Sequence, residues 1–357
     1  MQEPSRLEIL AQRMTCDAAI VTSQVNRFYL TGFSSSAGTL VITREGACFL
    51  ADPRYIQAAR EQVTCCPVMP EQDAVRQIRT ILASHHCETV GMETHHAPIA
   101  QGRMMEEIVK PARLLWNSEF SDTLLAMRSI KSSGELACLQ RAQEITDAAF
   151  GEWLNHVRPG VNELDMMHLL GWEMAKRGCE KRSFSMIFTS GERTALPHGD
   201  PSVRNVEAGD LVMVDMGAMV GGYSADMTRT IAVGYVSDEK RAVYETVRAA
   251  QRLALDAIRP GIACKEVDGI ARRHIDASVY AGRFGHNLGH SLGLEIHENP
   301  RFSPTSDVCL QPGMVMTVEP GIYLPHRFGV RIEDMVVVTA EGCRNMTRSS
   351  KDLIVVK

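Results

Sequence analysis

The residues of this sequence that are best suited to chemistry are four acidic side chains set in apolar, strand-like segments. Asp215 follows the run Leu-Val-Met-Val, and Asp226 precedes a second strand-like stretch. Glu319 ends the run Met-Val-Met-Thr-Val, and Glu333 lies in a stretch rich in β-branched residues. An ionised carboxylate is costly to bury unless it is paired. We therefore expect these four side chains to surround a positive charge.

The first two acids are predicted to face each other across a tight hairpin. Two strand-like segments, 210–217 and 223–233, flank the sequence Met-Val-Gly-Gly. A turn centred on the Val-Gly step would place Asp215 directly opposite Asp226, with Cβ atoms roughly 5 Å apart. Like charges at that distance are destabilising unless a cation separates them. The alternative, two solvent-facing aspartates, is disfavoured by the apolar flanks of Asp215.

A loose internal repeat gives both pairs of acids the same setting. Residues 208–217 align without gaps on 312–321, which places Asp215 on Glu319. Each half is also preceded by a helical stretch that ends in Arg-Pro-Gly, at 158–160 and at 259–261. We interpret this order as a duplicated half-domain. Two such halves packed about a pseudo-twofold axis would bring all four acids to one centre.

A glycine-rich segment, 285–298, carries three of the twelve histidines. Two of them, His286 and His290, have the i, i+4 spacing that binds zinc on a helix, but the glycines disfavour a helix. In an extended segment, glycine lets the backbone approach an ion closely. For each histidine taken singly, an ordinary core or surface role stays open.

Charge balance indicates how many ions such a centre would hold. Four carboxylates carry −4, which two divalent ions neutralise, whereas one ion would leave −2 buried. Oxygen-rich ligation with one imidazole favours Mn²⁺, with Co²⁺ or Zn²⁺ as alternatives. Two such ions roughly 3.5–4 Å apart can hold a bridging hydroxide as a nucleophile. The predicted cofactor is therefore a pair of divalent ions that serves hydrolysis.

The 357 residues are too many for one ordinary core, and their pattern indicates two domains. Residues 1–125 alternate strands and helices, which is typical of an open α/β sheet. Residues 126–357 are predicted to form an α+β domain, which begins with an S-x-x-E capping box at Ser132 and Glu135. Predicted strands lie at 17–23, 39–43, 47–51, 89–92 and 113–116, and predicted helices at 6–14, 72–84, about 132–158 and 238–258.

Composition excludes several classes of protein. The net charge of −5 and the lack of a basic stripe argue against nucleic-acid binding. No stretch approaches 18 consecutive apolar residues, so we expect no membrane span. Charged residues at Glu3, Arg6 and Glu8 argue against a signal peptide. Ten scattered cysteines are then expected to be reduced thiols in a cytoplasmic protein.

The acidic motifs resemble those of the creatinase, aminopeptidase P and prolidase group of metallopeptidases. The matching sequences are DMG at Asp215, DMTRT at Asp226, GHNLGHSLGLEIHE with His290, VEPG at Glu319 and GVRIED at Glu333. SGERTALPHG around His198 also matches, as do NRFYLTGF and ADPRY near the N-terminus, so the resemblance runs nearly end to end. It implies a "pita-bread" catalytic domain behind a smaller α/β domain, a homodimer, and cleavage between an N-terminal residue and proline.

The resemblance also implies roles for particular side chains. Its metal ligands correspond to Asp215, Asp226, His290, Glu319 and Glu333. His198 and His286 would line the substrate site with His297, which would shuttle a proton and stabilise the tetrahedral intermediate. Glu319 would also be the general base, and Arg331 would fix carboxylates through charge-assisted hydrogen bonds.

Two other functions stay open at this point. A metal-free C–N hydrolase of the creatinase type and a non-catalytic binding protein can use the same fold, but such relatives lose acidic ligands that this sequence keeps. The leading domain disfavours a methionine aminopeptidase. Among proline-specific peptidases, a dipeptidase and an aminopeptidase for longer peptides are both possible. The choice depends on whether a cationic group caps the substrate carboxylate and whether a partner subunit closes the cleft.

Overall fold

The computed structural model describes residues 4–357, and the chain separates into two compact units between Arg128 and Ser129. Glu3, one of the charged residues that argue against a signal peptide, lies outside the described residues. Each unit has its own sheets and core, as expected for a chain of this length. In the described part of the chain, no helix is both long enough and apolar enough to cross a membrane.

The first unit is built on a six-stranded mixed sheet in the order β4-β3-β2-β1-β5-β6. Its strands are β1 (Ala18–Val21), β2 (Thr39–Thr43), β3 (Ala47–Ala51), β4 (Val68–Pro70), β5 (Thr89–Met92) and β6 (Arg113–Leu114). Its helices are α1 (Arg6–Arg13), α2 (Gln24–Thr31), α3 (Ile56–Gln62), α4 (Ala74–Ser84), α5 (Ile99–Ile108) and α6 (Glu119–Ser129), the last of which ends at the boundary. The predicted open α/β sheet is thus confirmed.

Local sequence explains most of this unit. The predicted hairpin at 39–43 and 47–51 is present, and the two strands pair antiparallel. Helix α4 buries Ile78 and Leu82, one turn apart on its apolar face. The predicted strand at 113–116 is shorter than expected, because only Arg113 and Leu114 pair with β5.

The second unit contains four helices and a set of mostly antiparallel strands within residues 129–357. The helices are α7 (Ser133–Trp153), α8 (Glu163–Lys176), α9 (Asp238–Ala257) and α10 (Cys264–Asp276). The strands of its first half are β7 (Lys181–Arg182), β8 (Ile187–Ser190), β9 (Leu211–Met216), β10 (Ala218–Val220), β11 (Tyr223–Ser224) and β12 (Met227–Val233). Those that follow are β13 (Gly289–Ser291), β14 (Glu298–Phe302), β15 (Val315–Val318), β16 (Gly321–Leu324), β17 (Phe328–Arg331), β18 (Asp334–Val338), β19 (Cys343–Asn345) and β20 (Val355–Val356).

The predicted duplication is visible in the order of these elements. Each half has two helices and then a sheet, β20-β12-β9-β8 in the first half and β14-β13-β15-β18-β19 in the second. The glycines of the two Arg-Pro-Gly sequences, Gly160 and Gly261, have φ angles of 90° and 84°. The pair Gly209 and Gly313, 104 residues apart, has φ angles of 91° and 90°. Equivalent turns at equivalent places support two copies of one structural unit.

Each half has its own apolar core. In the first half, Trp153 and Leu170 of the helices pack with Phe188 and Val214 of the sheet. In the second half, a separate cluster joins α9 and α10 to β15 and β18. These cores hold the paired strands β9–β12 and β15–β18 in place, and the strand ends carry the acidic residues.

Two details of the predicted helices differ from the structure. Helix α7 begins after Ser132 with the predicted capping box, in which Ser132 accepts from the Glu135 N–H and the Glu135 side chain accepts from the Ser132 N–H. The helix ends at Trp153, earlier than the predicted 158–160, and a single 3₁₀ turn, Leu154–His156, follows it. The Arg-Pro-Gly sequence therefore forms a connection rather than the last helical turn.

The predicted hairpin register is wrong by two residues. The turn residues are Gly221 and Gly222, with φ angles of 59° and 79°, and Val220 pairs with Tyr223. A two-residue turn of this kind needs positive φ at both positions, which glycine supplies and the β-branched Val220 disfavours. As a result Asp215 pairs with Thr228, and Asp226 lies in the break between β11 and β12.

Ser132→Ala should lower the free energy of unfolding by about 1 kcal/mol, because the first turn of α7 loses its side-chain acceptor. Urea unfolding followed by circular dichroism measures the change. Ser133→Ala, one position further along, is the matched control and should stay within about 0.5 kcal/mol of the wild type. Equal losses from both substitutions would contradict the role of the cap.

Candidate metal centre

The five predicted ligands line one cavity of about 440 Å³ in the second unit. Their elements approach it from both halves: Asp215 from β9, Asp226 from the break before β12, and His290 from β13. Glu319 and Glu333 flank the paired strands β15 and β18. The other lining residues are Phe184, Ser185, Ile187, Pro197, His198, Asp200, His286, Asn287, Gly289, Ile296, His297, Arg301 and Arg331.

Three of the ligands form a compact set of donors. Ligand atoms of Asp226, His290 and Glu333 all lie within 4.8 Å of one another. The His290 Nε2 atom is 3.5 Å from Asp226 Oδ2 and 3.5 Å from Glu319 Oε1. Donors held about 2.0–2.2 Å from one ion lie roughly 3–3.5 Å from each other. The spacing around His290 therefore suits donors that share a cation.

Hydrogen bonds of His290 leave one ring nitrogen available. Its Nδ1 lies 3.1 Å from the carbonyl oxygen of Ser291, which only accepts, so Nδ1 carries the proton. The Nε2 lone pair then points toward the acidic side chains. The backbone N–H of His290 donates to the Thr317 hydroxyl, which donates to Glu319 Oε1 over 3.2 Å. One threonine thus aligns two of the predicted ligands.

Thr228 and Arg331 hold the other carboxylates in place. The Thr228 hydroxyl donates to Glu333 Oε2 over 2.6 Å and accepts from Arg331 Nε over 2.9 Å. Arg331 Nη2 donates to Asp215 Oδ2 over 2.7 Å. The other end of the guanidinium, Nη1, donates to the Pro197 carbonyl and to the Tyr323 hydroxyl. Buried to 2% exposure, Arg331 fixes the acids from outside the donor set.

The four acids strongly disfavour being charged together. Burial, and then the charges of Glu333 and Asp215, raise the pKa of Asp226 well above its usual range. Burial, followed by Glu319 and Asp215, does the same to the pKa of Glu333. Burial also raises the pKa of Glu319 to about 8. One guanidinium is too little charge to neutralise this cluster, so it favours bound protons or bound cations.

The donor set fits divalent metal ions. It offers four carboxylates and one neutral imidazole, a combination of hard oxygen ligands and one nitrogen that such ions bind. Burial lowers the pKa of His290 to about 3, so its ring is neutral near pH 7. Among residues 4–357, Asp215 Oδ1 is a buried oxygen with no hydrogen-bond donor. An oxygen placed in this way is suited to a cation.

The three histidines expected at the substrate site lie around the same cavity. His198 and His297 are exposed, and the His297 ring centre is 4.5 Å from that of His290. The His286 Nδ1 donates to the Asn287 carbonyl, and its Nε2 lies 3.1 Å from the Tyr323 hydroxyl. Burial, and then the charge of Arg331, lowers the pKa of His286 to about 4. Both ring nitrogens of His286 are therefore used within the protein.

The sequence did not predict several residues that line or support the site. Arg301 lines the cavity with an exposed side chain, and Tyr323 links Arg331 to His286. The sequence could have indicated Thr228, because strand alternation places it on the same face as Asp226. The sequence could also have indicated Arg301, because it is the first cationic residue after the histidine segment. No local pattern indicated Tyr323, since its contacts depend on how β16 and β17 pair.

Fold and donor set together define a class of protein, the metal-dependent hydrolases with a leading α/β domain. Residues 137–340 match Metallopeptidase family M24, and residues 5–130 match the Creatinase/Prolidase N-terminal domain. The chain belongs to metallopeptidase family M24, and this membership implies the use of divalent metal ions. The resemblance seen in the sequence and the pita-bread fold are thereby confirmed.

Relatives match along nearly the whole chain. A Xaa-Pro dipeptidase of Pyrococcus horikoshii is 35% identical over 339 residues, which cover 95% of this chain and 94% of that protein. The structure of a Xaa-Pro dipeptidase from Bacillus anthracis is 36% identical, with a TM-score of 0.94 and 98% of both chains covered. The X-Pro aminopeptidase of Thermotoga maritima is 32% identical, with a TM-score of 0.91, and the match covers 98% of this chain and 100% of that one.

The metal-free protein should become less stable as the pH rises from about 6.5 to about 8.5. The raised pKa values of Asp226, Glu319 and Glu333 mean that the folded state binds more protons than the unfolded state, so this stabilisation is lost as those protons leave. Saturating Mn²⁺ holds the carboxylates ionised and should flatten the dependence. Melting temperatures in EDTA and in Mn²⁺ measure both slopes. A metal-free melting temperature that rises over this range would contradict the argument.

Proposed function

We propose that this protein is a Xaa-Pro dipeptidase, which hydrolyses the bond between an N-terminal residue and a C-terminal proline. The proposal rests on the convergence of four carboxylates and one neutral imidazole in a cavity that also has a guanidinium, Arg301, on its wall. Relatives named as Xaa-Pro dipeptidases support the choice of bond. The metal-free hydrolase and the binding protein are weaker alternatives, because neither requires this set of ligands.

The proposed cofactor is a pair of divalent ions, with Mn²⁺ favoured over Co²⁺ and Zn²⁺. Asp215, Asp226, His290, Glu319 and Glu333 would hold them, since only two divalent charges balance the four carboxylates. Bound there, the ions would polarise the scissile carbonyl and lower the pKa of a water molecule. Arg331, through Asp215 and Thr228, keeps the ligands in position.

Two side chains of the protein are proposed to accept and donate the protons of the reaction. Glu319 is the proposed general base, because its carboxylate lines the cavity and its Oε1 lies 3.5 Å from His290 Nε2, among the proposed ligands that would hold the attacking water. The departing proline nitrogen needs a proton. His297, beside His290 and exposed to the cavity, is the proposed donor. Burial lowers the His297 pKa, which makes the protonated ring a stronger proton donor.

The choice of proline follows from its chemistry. A prolyl bond has no N–H, so enzymes that bind that group cannot use it to align the substrate. His198 and His286 are proposed to contact the substrate from the cavity wall, His198 directly through an exposed ring. The His286 ring is held in one orientation by its hydrogen bonds to Asn287 and Tyr323.

Arg301 favours a dipeptide over a longer peptide. Its exposed guanidinium lines the cavity, and the residue pairs with His290 between strands β13 and β14. The free carboxylate of a dipeptide can form a charge-assisted pair with this group. In a longer peptide the same position holds a neutral peptide carbonyl, which binds a guanidinium less strongly.

The cellular location, oligomeric state and partners of the protein are also proposals. We place it in the cytoplasm, since its ten cysteines are free thiols. A homodimer is inferred from the family alone. We propose no nucleic-acid partner, in keeping with the net charge of −5.

Asp226→Asn should abolish hydrolysis of Ala-Pro, because the amide removes a charged ligand and lowers affinity for the ions. The same change removes a repelling carboxylate, so the metal-free variant should melt at or above the wild-type temperature. Calorimetry with and without Mn²⁺, alongside an Ala-Pro assay, tests both parts. Asp200→Asn, an exposed carboxylate in the same cavity, is the matched control and should bind Mn²⁺ normally.

With Mn²⁺ present, the wild type should cleave Ala-Pro faster than Ala-Pro-Ala. Arg301→Met should reduce kcat/KM for Ala-Pro about 10- to 100-fold through KM, and for Ala-Pro-Ala only slightly, because it removes the partner of the terminal carboxylate. Steady-state kinetics on the two peptides give both ratios. Activity on neither peptide would count against the proline hypothesis, and equal losses on both would count against Arg301 as the carboxylate site.

A further inference from the structure

A loop that presents His198 to the cavity is held at both of its ends by one buried carboxylate. The loop comprises residues 191–201, between the end of β8 at Ser190 and Ser202. It begins with a 3₁₀ turn, Gly191–Ala195, and then exposes His198 at the cavity wall. An irregular, exposed loop keeps a fixed shape only where other groups anchor it.

Glu163, the first residue of α8, provides that anchor. Its Oε1 accepts from the N–H and the hydroxyl of Ser190, at 2.8 and 2.6 Å. Its Oε2 accepts from the N–H and the hydroxyl of Ser202, at 2.9 and 2.7 Å. Arg193, within the loop, brings its Nε to 3.4 Å from Oε2. The Glu163 side chain is fully buried, so these groups replace water around its charge.

The middle of the loop is hydrogen-bonded to Arg331, which also contacts Asp215 of the candidate metal centre. Arg331 Nη1 donates to the carbonyl of Pro197 over 2.9 Å, and His198 is the next residue. Gly329 donates its N–H to the Thr194 hydroxyl over 2.9 Å. The position of His198 therefore depends on Arg331 near the centre of the loop and on Glu163 at its ends.

A similar arrangement recurs in the second half of the unit. Asp268 of α10 is 1% exposed and accepts from the Leu288 N–H over 3.0 Å. It also pairs with Arg272, which donates to the carbonyl of His286 over 2.9 Å. In both halves, a buried carboxylate on the second helix holds a segment with a cavity histidine.

We propose that Glu163 is a positioning residue for His198. This inference rests on the proposed function, because its catalytic effect is measured on a Xaa-Pro peptide. Glu163→Gln keeps the size of the side chain, but its amide NH₂ cannot accept from one of the two serines. The bond from the backbone N–H of that serine is then lost and its hydroxyl can no longer donate to the side chain. His198 is therefore held less firmly and depends more on the contacts of Arg331 and Gly329 with the centre of the loop.

A double-mutant cycle tests the link to His198. Glu163→Gln should lower kcat/KM for Ala-Pro about 10- to 100-fold. In a His198→Ala background the same change should cost less than about threefold, because the side chain that it positions is already missing. The matched control is Glu173→Gln, which removes a buried glutamate from the same helix, where it pairs with Lys176 and Arg177. Equal factors in both backgrounds would overturn the proposal.

Limited trypsin digestion tests the loop without substrate or metal. Cleavage after Arg193 should be roughly threefold faster or more in Glu163→Gln than in the wild type, and unchanged in Glu173→Gln. If the wild type cleaves no Xaa-Pro peptide but tryptic cleavage accelerates, the proposed function fails and the anchor stands. An unchanged tryptic rate in Glu163→Gln overturns the anchor, even in an active peptidase.

A milder variant covers the case in which Glu163→Gln does not fold. Ser202→Ala removes only the hydroxyl that donates to Glu163 Oε2. It should accelerate tryptic cleavage after Arg193 and lower kcat/KM for Ala-Pro, each by a smaller factor than Glu163→Gln does. A Ser202→Ala protein that matches the wild type in both measurements would overturn the proposal.

Discussion

Repulsion among four clustered carboxylates, three of them buried and that of Glu319 only 16% exposed, is the constraint on which this structure depends. Asp226, Glu319 and Glu333 all have raised pKa values because burial and their mutual charges oppose ionisation. A core that only had to be stable would avoid such a cluster, since apolar residues of similar size pack at lower cost. The cluster is therefore explained by what it binds, and the surrounding fold must keep the acids together when no cation offsets their repulsion.

The two halves of the second unit meet this constraint because each half orients acidic side chains of the other. Thr228, from the first half, donates to Glu333 of the second. Arg331, from the second half, donates to Asp215 of the first. Neither half can complete the centre alone, because each supplies carboxylates that the other must orient. The duplication thus explains both the number of acids and the way in which they are held.

Much of this arrangement follows from local sequence, and the remainder depends on contacts between distant residues. Apolar flanks around Asp215 and matching turns in the two halves were enough to predict converging acids. The hairpin register was missed because it depends on which residues take positive φ, and the Gly221–Gly222 pair moves the turn by one position. Tyr323 and Glu163 had no local signal, since their partners lie far away in the chain. Arg331 was found only through resemblance, for the same reason.

The spread of the proposed ligands along the chain has a consequence for when metal ions could bind. Asp215 and Asp226 leave the ribosome first, and His290, Glu319 and Glu333 follow only after two more helices. The early pair alone provides neither the imidazole nor the second pair of carboxylates, so a nascent chain has no complete chelating set. Closing the long loop between the halves must come before tight capture. Divalent ions bound at the complete set would then stabilise a fold that is already formed.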